Sequence, residues 1–349
     1  MKTWDVIISG AGIIGVSLAL ELRQRGAHVL VLDCGEPGKE ASSAAAGMLS
    51  AADPETPEKL RLLVRESAGM YPLFAEKLEN SSGMKVDFRH GAIALLHAAE
   101  APLDYQPISH ANLNRLEPAL HAHGYSAYWI AAENSVDPDL LMQAALRAAR
   151  DAGIEVRGQT AVKQMSAVGG QVEVIAVNER FLARAAVNCQ GAWAGAPVRP
   201  RKGQMLYLQP MNPMLLKHVV RAPEVYLVPR SSGKILAGAT VEDAGYDKTV
   251  VQEAIQQLHR AAAQVVPELA SATIVASWAG LRPGSPDDLP ILGRTETPGV
   301  FIASGHFRNG ILLAPITARI MADLIAGKTP AVDISAFSPS RFAGVAARM

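Results

Sequence analysis

Residues 5–33 read DVIISGAGIIGVSLALELRQRGAHVLVLD, and this stretch decides the class of fold. The apolar run that ends at Gly10 is typical of a strand buried on both faces. Apolar residues then recur at helical spacing as far as Gly26, which stands where a helix C-terminal cap is expected. A second apolar run follows and ends at Asp33. The order strand, helix, strand predicts a parallel sheet that begins near the N-terminus.

The turn between the first strand and the helix carries the pattern G-x-G-x-x-G at Gly10, Gly12 and Gly15. These glycines allow a tight turn, a close approach of backbone to a pyrophosphate, and close packing of helix on strand. Asp33 lies 23 residues after Gly10, where a carboxylate can accept both ribose hydroxyls. The pattern therefore predicts a dinucleotide site, since a turn needed only for packing leaves Asp33 unexplained. The acid disfavours the extra phosphate of NADP, but the motif does not choose between NAD and FAD.

The next feature is the segment EASSAAAGML, residues 40–49, which is rich in small side chains and hydroxyls. Small residues let backbone come close to a flat ring, and hydroxyls such as that of Ser42 can bind phosphate oxygens. The alternative is a helix N-terminus with serine caps.

The remaining pattern predicts two kinds of domain in an α/β fold. Helical spacing covers about residues 50–80, and a clear helix follows Asp137 as N-cap. Between and after these stretches the chain alternates like antiparallel strands. We expect a discontinuous Rossmann-like nucleotide domain with a parallel sheet and a β-rich, antiparallel substrate-binding domain. The nucleotide domain is assigned residues 1–84, 137–203 and 271–349, and the substrate domain is assigned residues 85–136 and 204–270.

Composition excludes several classes of protein. Lys plus Arg number 33 and Asp plus Glu also number 33, so the basic surplus of a nucleic-acid binder is missing. The uncharged stretch at residues 6–20 is too short to span a bilayer, so no integral membrane segment is expected. Two cysteines cannot form a disulfide framework, and the histidines show no metal-ligand spacing. We expect no bound metal, a reducing compartment and a cytoplasmic protein.

Near the C-terminus, VFIASGHFRNGILLAP (residues 300–315) places Arg308 in a turn between two apolar runs. A charge in such a place requires a partner, because burial of an unpaired charge is costly. The helix that follows begins at about Asn309 or Gly310, and its N-terminus can stabilise negative charge.

Three segments together resemble the D-amino-acid oxidase family of flavoproteins, and most of all its glycine oxidase branch. They are DVIISGAGIIG at residues 5–15, SSAAAGML at residues 42–49, and the long segment from Trp278 to Pro315. The resemblance runs through nearly the whole chain in order. It implies that the dinucleotide is FAD, with its adenine end at the first turn and its ring near the segment before the last helix.

The same resemblance implies a set of FAD contacts in this chain. By position they are Gly10, Gly12, Ile13, Ile14, Gly15, Asp33, Cys34, Ala41, Ser42, Ala46, Gly47, Met48, Val162, His306, Phe307, Arg308, Asn309, Gly310, Ile311 and Leu312. Some relatives attach flavin through a cysteine beneath the ring. Neither Cys34 nor Cys189 stands there, so we expect FAD to be non-covalent.

For the substrate, the resemblance implies a carboxylate held by Arg282 and Tyr226, with Arg308 assisting. A guanidinium suits bidentate carboxylate binding, whereas the alternatives are a structural ion pair and an ordinary half-buried tyrosine. No catalytic side chain is expected, because orientation and the flavin supply most of the rate. His306 as a base is disfavoured. Val241 replaces a methionine of the glycine oxidases and Glu224 replaces a histidine, which leaves the substrate preference open.

The implied reaction is oxidative deamination of glycine, and also of sarcosine or small D-amino acids. The products would be an imine or glyoxylate, ammonia, and H2O2 from O2. The resemblance also implies a homotetramer and a role in making the thiazole of thiamine, with thiazole synthase as a pathway partner. Two alternatives stay open from the residues. The chain could be a dehydrogenase that passes electrons to a quinone or partner protein, or a non-catalytic FAD-binding subunit.

Overall fold

The computed structural model describes residues 3–97, 101–102, 104–122 and 124–343. The predicted domain bounds reach residues 1–2 and 344–349, which lie outside this part of the chain. The α-helices are α1 (Ile13–Gln24), α2 (Glu58–Ser82), α3 (His110–Leu116), α4 (Pro138–Asp151), α5 (Gln252–Val265) and α6 (Gly310–Ile325). The strands are β1 (Thr3–Ser9), β2 (Val29–Leu32), β3 (Met48–Leu49), β4 (Arg89–Leu96), β5 (Gln106–Pro107), β6 (Ser126–Ser135), β7 (Glu155–Arg157), β8 (Val162–Val168), β9 (Gln171–Ala176), β10 (Arg180–Asn188), β11 (Arg199–Gln209), β12 (Val219–Arg221), β13 (Tyr226–Pro229), β14 (Ile235–Gly238), β15 (Thr273–Gly284), β16 (Ile291–Arg294) and β17 (Val300–Ser304).

The first sheet has the order β16-β17-β10-β1-β2-β7, with the hairpin β8-β9 attached to β10. Its centre is parallel, since β1 pairs in parallel with β2 and β10, and β10 pairs in parallel with β17. Helices α1 and α6 pack together against it, and both are almost wholly buried on their apolar faces. The strand, helix, strand opening and the parallel sheet are thus confirmed.

The second sheet has the order β15-β11-β14-β13-β12-β4-β6-β3, with β5 on β6. All its pairings are antiparallel except β12 with β4. The β-rich antiparallel part of the fold is therefore confirmed. The proposed division at residue 203/204 passes through β11, and the division at 270/271 assigns β15 to the nucleotide domain although β15 pairs along its length with β11.

Two local differences from the expected helices matter for the site. The helix expected from about residue 50 begins only at Glu58, so residues 50–57 form a loop. Helix α3 was not expected; Ser109 caps it by accepting a hydrogen bond from the Asn112 N–H at 3.3 Å. By contrast, Asp137 caps α4 as predicted, accepting from the N–H groups of Asp139 and Leu140.

Within the described residues, no helix combines the length and the apolar character needed to cross a membrane.

Candidate functional site

One elongated cavity of about 530 Å³ runs between the two sheets and brings most of the predicted site residues together. The predicted residues in its wall are Gly10, Gly12, Ile13, Ile14, Asp33, Cys34, Ala41, Ser42, Ala46, Gly47, Met48, Val162, Tyr226, Arg282, His306, Phe307, Arg308, Asn309, Gly310 and Ile311. Gly15 and Leu312 are not in the wall. A side chain at Gly15 would overlap the Gly10 carbonyl, and Leu312 is buried in the core, so both support the wall from behind.

The glycine turn at one end of the cavity leaves backbone donors free. Gly10 has φ +109°, and a Cβ there would collide with the Cys189 carbonyl. Gly12 is the N-cap of α1 and offers no side-chain cap. Ser42 accepts a hydrogen bond from the Ile13 N–H at 2.9 Å and so brings its hydroxyl to the helix N-terminus. An N-terminus of this kind is a ready anion site, because its N–H groups and dipole favour negative charge.

Asp33 lies beside this turn with both carboxylate oxygens already oriented. Oδ2 accepts from the Ala11 N–H at 2.7 Å, and Oδ1 accepts from the Gly35 N–H at 2.9 Å. Each oxygen keeps further acceptor capacity toward the cavity. The backbone therefore holds the carboxylate in place for hydroxyl donors such as those of a ribose.

The small-residue segment at residues 41–48 is held by two side chains from the second sheet. Trp278 Nε1 donates to the Ala44 carbonyl at 3.1 Å. Arg230, 5 % exposed, donates to the Ala46 carbonyl at 2.7 Å and to the Val136 carbonyl at 2.9 Å. Sequence reasoning missed both, since neither spacing nor residue type shows that they meet a segment so far away in the chain.

The segment before α6 forms the opposite wall. Phe307–Asn309 make a short 3₁₀ turn, and α6 begins at Gly310 with no side-chain cap from Asn309. Its N–H groups are therefore available to a ligand in the cavity. His306 lies behind the turn, and its Nε2 is 3.1 Å from the Thr317 hydroxyl.

Burial lowers the pKa of His306 to about 3. The unfolded chain takes up this proton near pH 6.5 and the folded chain does not, so stability falls as pH drops below 6.5. At pH 5 the loss from this group is about 2 kcal/mol. Urea unfolding at pH 7.5 and pH 5 should show that His306→Gln loses less stability on acidification than the parent. The exposed His110→Gln variant should follow the parent, and equal slopes for all three proteins would contradict the assignment.

Arg282 reaches the cavity from β15, and two backbone carbonyls hold one nitrogen of its guanidinium. Its Nη1 donates to the Thr240 carbonyl at 3.1 Å and to the Lys202 carbonyl at 3.3 Å. Among the described residues, no carboxylate forms an ion pair with it. Burial lowers the pKa of Arg282, and the neighbouring phenol of Tyr226 opposes this shift. A half-buried cation without an internal anion is a strong site for an anionic ligand.

Tyr226 lies next to Arg282 on the same side of the second sheet. Its hydroxyl donates to Met205 Sδ at 3.4 Å, and burial raises its pKa. Gly238 leaves space for the side chains of Tyr226 and Met205, since a Cβ at position 238 would come within 2.7 Å of Met205 Cγ and 2.8 Å of the Tyr226 hydroxyl.

Arg308 finds its partners within the chain in this structure. Nη1 lies 2.8 Å from Glu55 Oε2, and Nη2 lies 3.8 Å from Asp53 Oδ2. The family resemblance pointed instead to a substrate carboxylate outside the chain as the partner of Arg308. Residues 50–57 were expected to be helical. They are instead a loop that carries both acids to the cavity wall.

A second arginine completes this end of the cavity and was also missed. Arg221 pairs with Asp53 at 3.3 Å and forms a short ion pair with the buried Glu133. Burial raises the pKa of Glu133 to about 7, a shift that Arg221 opposes. Asp53 thus lies between two arginines and joins them in one network.

The two positions that depart from the glycine oxidase pattern lie away from this wall. Val241 is 49 % exposed, Glu224 is exposed, and neither lines the cavity. No group of three potential metal ligands occurs in the part of the chain that the structure describes.

The cavity fits an extended dinucleotide. The N-termini of α1 and α6 lie in its wall, and the carbonyls of the small residues Ala44 and Ala46 between them are held by Trp278 and Arg230. The wall holds the Asp33 carboxylate at the glycine turn and, at the second sheet, the Arg282 guanidinium, which has no ion-pair partner among the described residues.

Residues 5–324 match the family described as DAO, FAD dependent oxidoreductase. Glycine oxidase from Geobacillus kaustophilus is 33 % identical over 368 residues, which cover 98 % of each chain. The crystal structure of glycine oxidase from that organism aligns with a TM-score of 0.91 and 32 % identity, over 98 % of this chain and 99 % of that chain.

The bifunctional protein ThiO/ThiG of Nostoc sp. is 34 % identical over 362 residues, which cover 97 % of this chain and 55 % of the relative. The chain therefore spans about half the length of the bifunctional relatives it matches. Iminodiacetate oxidase from Chelativorans sp. BNC1 is 27 % identical, with a TM-score of 0.86 over 96 % of this chain and 98 % of that chain. With its glycine turn, its cavity and a match over most of its length, the chain belongs to the DAO family of FAD-dependent oxidoreductases.

Proposed function

We propose that this protein oxidises glycine, and also sarcosine and small D-amino acids, by hydride transfer to FAD. The imine formed is hydrolysed to ammonia or an amine and the 2-oxo acid, which is glyoxylate for glycine. FAD supplies the acceptor for the hydride and returns the electrons to O2 as H2O2. The observation that carries the proposal is Arg282, a half-buried guanidinium in the cavity wall with no ion-pair partner among the described carboxylates.

Arg282 and Tyr226 bind the substrate carboxylate in this proposal. Because Nη1 is held by two carbonyls, the rest of the guanidinium fork is left for the ligand. The Tyr226 hydroxyl adds a third donor from β13, which β11 and β14 separate from β15 in the sheet. Binding the carboxylate at a fixed point orients the α-carbon toward the ring, which is where orientation contributes most to rate.

The charge balance at this end favours a substrate with one carboxylate. Arg308 faces Glu55 and Asp53, and Arg221 faces Asp53 and Glu133. Of the three arginines Arg221, Arg282 and Arg308, Arg282 alone has no carboxylate partner among the described residues. A second carboxylate on the substrate would have to displace one of these ion pairs. Because Arg308 is already paired, its main role in this proposal is to shape the pocket.

The relatives' names support a place for the reaction in thiamine synthesis. The ThiO/ThiG relatives and the glycine oxidases align over almost all of this chain. We accordingly propose that the glycine imine feeds thiazole formation, that thiazole synthase is a pathway partner, and that the protein is a homotetramer.

The experiment that tests the reaction is anaerobic addition of glycine, sarcosine, D-alanine and D-proline to the FAD-loaded protein. We expect bleaching of the flavin absorption, followed by H2O2 when air is admitted. Bleaching without peroxide would assign the protein as a dehydrogenase with another electron acceptor. Absence of bleaching with every amino acid would favour a non-catalytic FAD-binding subunit.

FAD is expected to be non-covalent. Cys34 and Cys189 both lie in the wall near the glycine turn, away from the α6 turn. Acid precipitation should therefore release the flavin into the supernatant. Flavin that stays with the precipitated protein would contradict this expectation.

Arg230→Met should weaken FAD binding by about 10-fold. The methionine fills the buried space, but the carbonyls of Ala46 and Val136 lose their donor and the segment at residues 41–48 loosens. FAD titration of the apoprotein, followed by flavin fluorescence, measures the change. Arg294→Met is the control, because Arg294 packs on Phe301 outside the cavity. Parent-like FAD affinity in a folded Arg230→Met protein would contradict the role of Arg230.

A further inference from the structure

The two carbonyls that hold Arg282 are themselves fixed by a polar network on the opposite side of β11. Along this strand, Gly203 and Met205 line the cavity. Lys202 and Gln204 alternate with them and therefore point to the other face. Both are almost fully buried, at 2 % and 1 % exposure. Buried polar groups of this kind need partners, and the segment after β14 provides them.

Thr240 is the first of these partners. Its hydroxyl accepts from the Gln204 N–H at 2.9 Å and donates to Glu242 Oε1 in a short hydrogen bond. Its own N–H donates to the Gln204 carbonyl at 3.3 Å. The carbonyl of the same residue accepts from Arg282 at 3.1 Å. Hydrogen bonds within the network therefore fix the orientation of the Thr240 peptide. Its carbonyl then accepts from Arg282 on the cavity side.

Glu242 fixes the second carbonyl and closes the network. Its N–H donates to the Lys202 carbonyl at 2.9 Å, the same oxygen that accepts from Arg282 at 3.3 Å. Its carboxylate accepts from Gln204 Nε2 at 2.7 Å and lies 3.6 Å from Lys202 Nζ. These hydrogen bonds and the Lys202 charge lower the pKa of Glu242 against the effect of burial. The acid is thus ionised and held on several sides.

We propose that Thr240 and Glu242 are positioning residues that set the Arg282 guanidinium for carboxylate binding. This inference rests on the proposed function of Arg282. Neither side chain lines the cavity, so each acts through Arg282 and not by touching substrate. A guanidinium held before binding loses less side-chain freedom when the ligand arrives, which raises affinity.

The experiment compares Thr240→Val with Thr240→Ser in the FAD-loaded protein, using acetate as the probe. Acetate has the carboxylate but no α-amine to react, and its binding is followed through the flavin absorption. Valine keeps the shape of threonine and removes the hydroxyl, whereas serine keeps the hydroxyl. We expect the Kd for acetate to rise about 10-fold in Thr240→Val and to stay within twofold in Thr240→Ser. KM for glycine should rise in parallel, with kcat within about threefold.

A second variant guards against misfolding of Thr240→Val. Lys202→Met together with Glu242→Ala removes both charges, leaves no buried ion unpaired, and takes away the acceptor of the Thr240 hydroxyl. It should also raise the Kd for acetate about 10-fold. The control is Asp247→Asn, an exposed acid on the same segment whose carboxylate accepts from Thr249. FAD affinity should be unchanged in all these variants, whereas a general structural defect would lower it.

Arg282→Ala in the same assay separates this inference from the proposed function. If it loses acetate affinity while the Thr240 variant and the double variant bind within twofold of the parent, the positioning role is overturned and the carboxylate site stands. If Arg282→Ala itself binds acetate like the parent, the carboxylate site and the positioning role both fail.

Discussion

Replacing Arg282 with alanine is expected to lower kcat/KM for glycine by about 10² to 10⁴, mainly through KM, while the protein keeps FAD. Hydrogen bonds to charged groups contribute about 1.5–3 kcal/mol each, and a bidentate carboxylate loses two of them. The dinucleotide contacts lie along other elements, so FAD affinity should stay unchanged in this variant. Steady-state kinetics with glycine, together with flavin content after purification, measure both quantities.

The control for this variant is Arg199→Ala. Arg199 stands on the adjacent strand β11, is exposed, and does not line the cavity. Its loss removes the same charge from the protein and should leave kcat/KM within about twofold of the parent, as expected for surface substitutions. Wild-type kcat/KM in the Arg282→Ala protein would refute the carboxylate site.

The second large effect is expected at a residue without a side chain. A Cβ at Gly203 would overlap the guanidinium of Arg282, and the three nearest atoms it would meet all belong to that side chain. The fold can therefore accept Gly203→Ala, but Arg282 must move. We expect kcat/KM for glycine to fall by about 10², since a displacement near 1 Å at a binding group can cost this much.

A double-mutant cycle checks the cause. In the Arg282→Ala background, Gly203→Ala should add little, because the group it displaces is already gone. Gly69→Ala is the control, since Gly69 lies in α2 and a Cβ there would meet no atom within 4 Å. If kcat/KM of the double variant instead fell by the product of the two single-variant factors, the alanine at position 203 would act by a route other than displacing Arg282.

Much of the FAD-binding half could be predicted from local pattern. The glycine turn, Asp33 at the end of β2 and the helix that starts at Gly310 are set by neighbours in the chain, so their geometry follows from spacing. The same holds for the Asp137 cap of α4. The resemblance then supplied FAD and the residues that line the cavity.

The substrate end was less predictable. Asp53 and Glu55 were placed in a helix, whereas the loop at residues 50–57 turns them toward Arg308. Arg221 and Glu133 come from two strands of the second sheet, and no local signal distinguishes this arginine and this acid from surface charges.

By itself, the sequence determined the parallel opening of the sheet, the dinucleotide turn with its acidic partner, and the start of the last helix. These depend on contacts between residues close in the chain, where the allowed backbone geometry is nearly unique. Only the tertiary structure decided which charges are paired. Among the described residues, Arg308 pairs with Glu55 from 253 residues away, while the Arg282 guanidinium donates to two carbonyls and meets no carboxylate. Charge pairing depends on distances in space, and that difference makes Arg282 the candidate site for a substrate carboxylate.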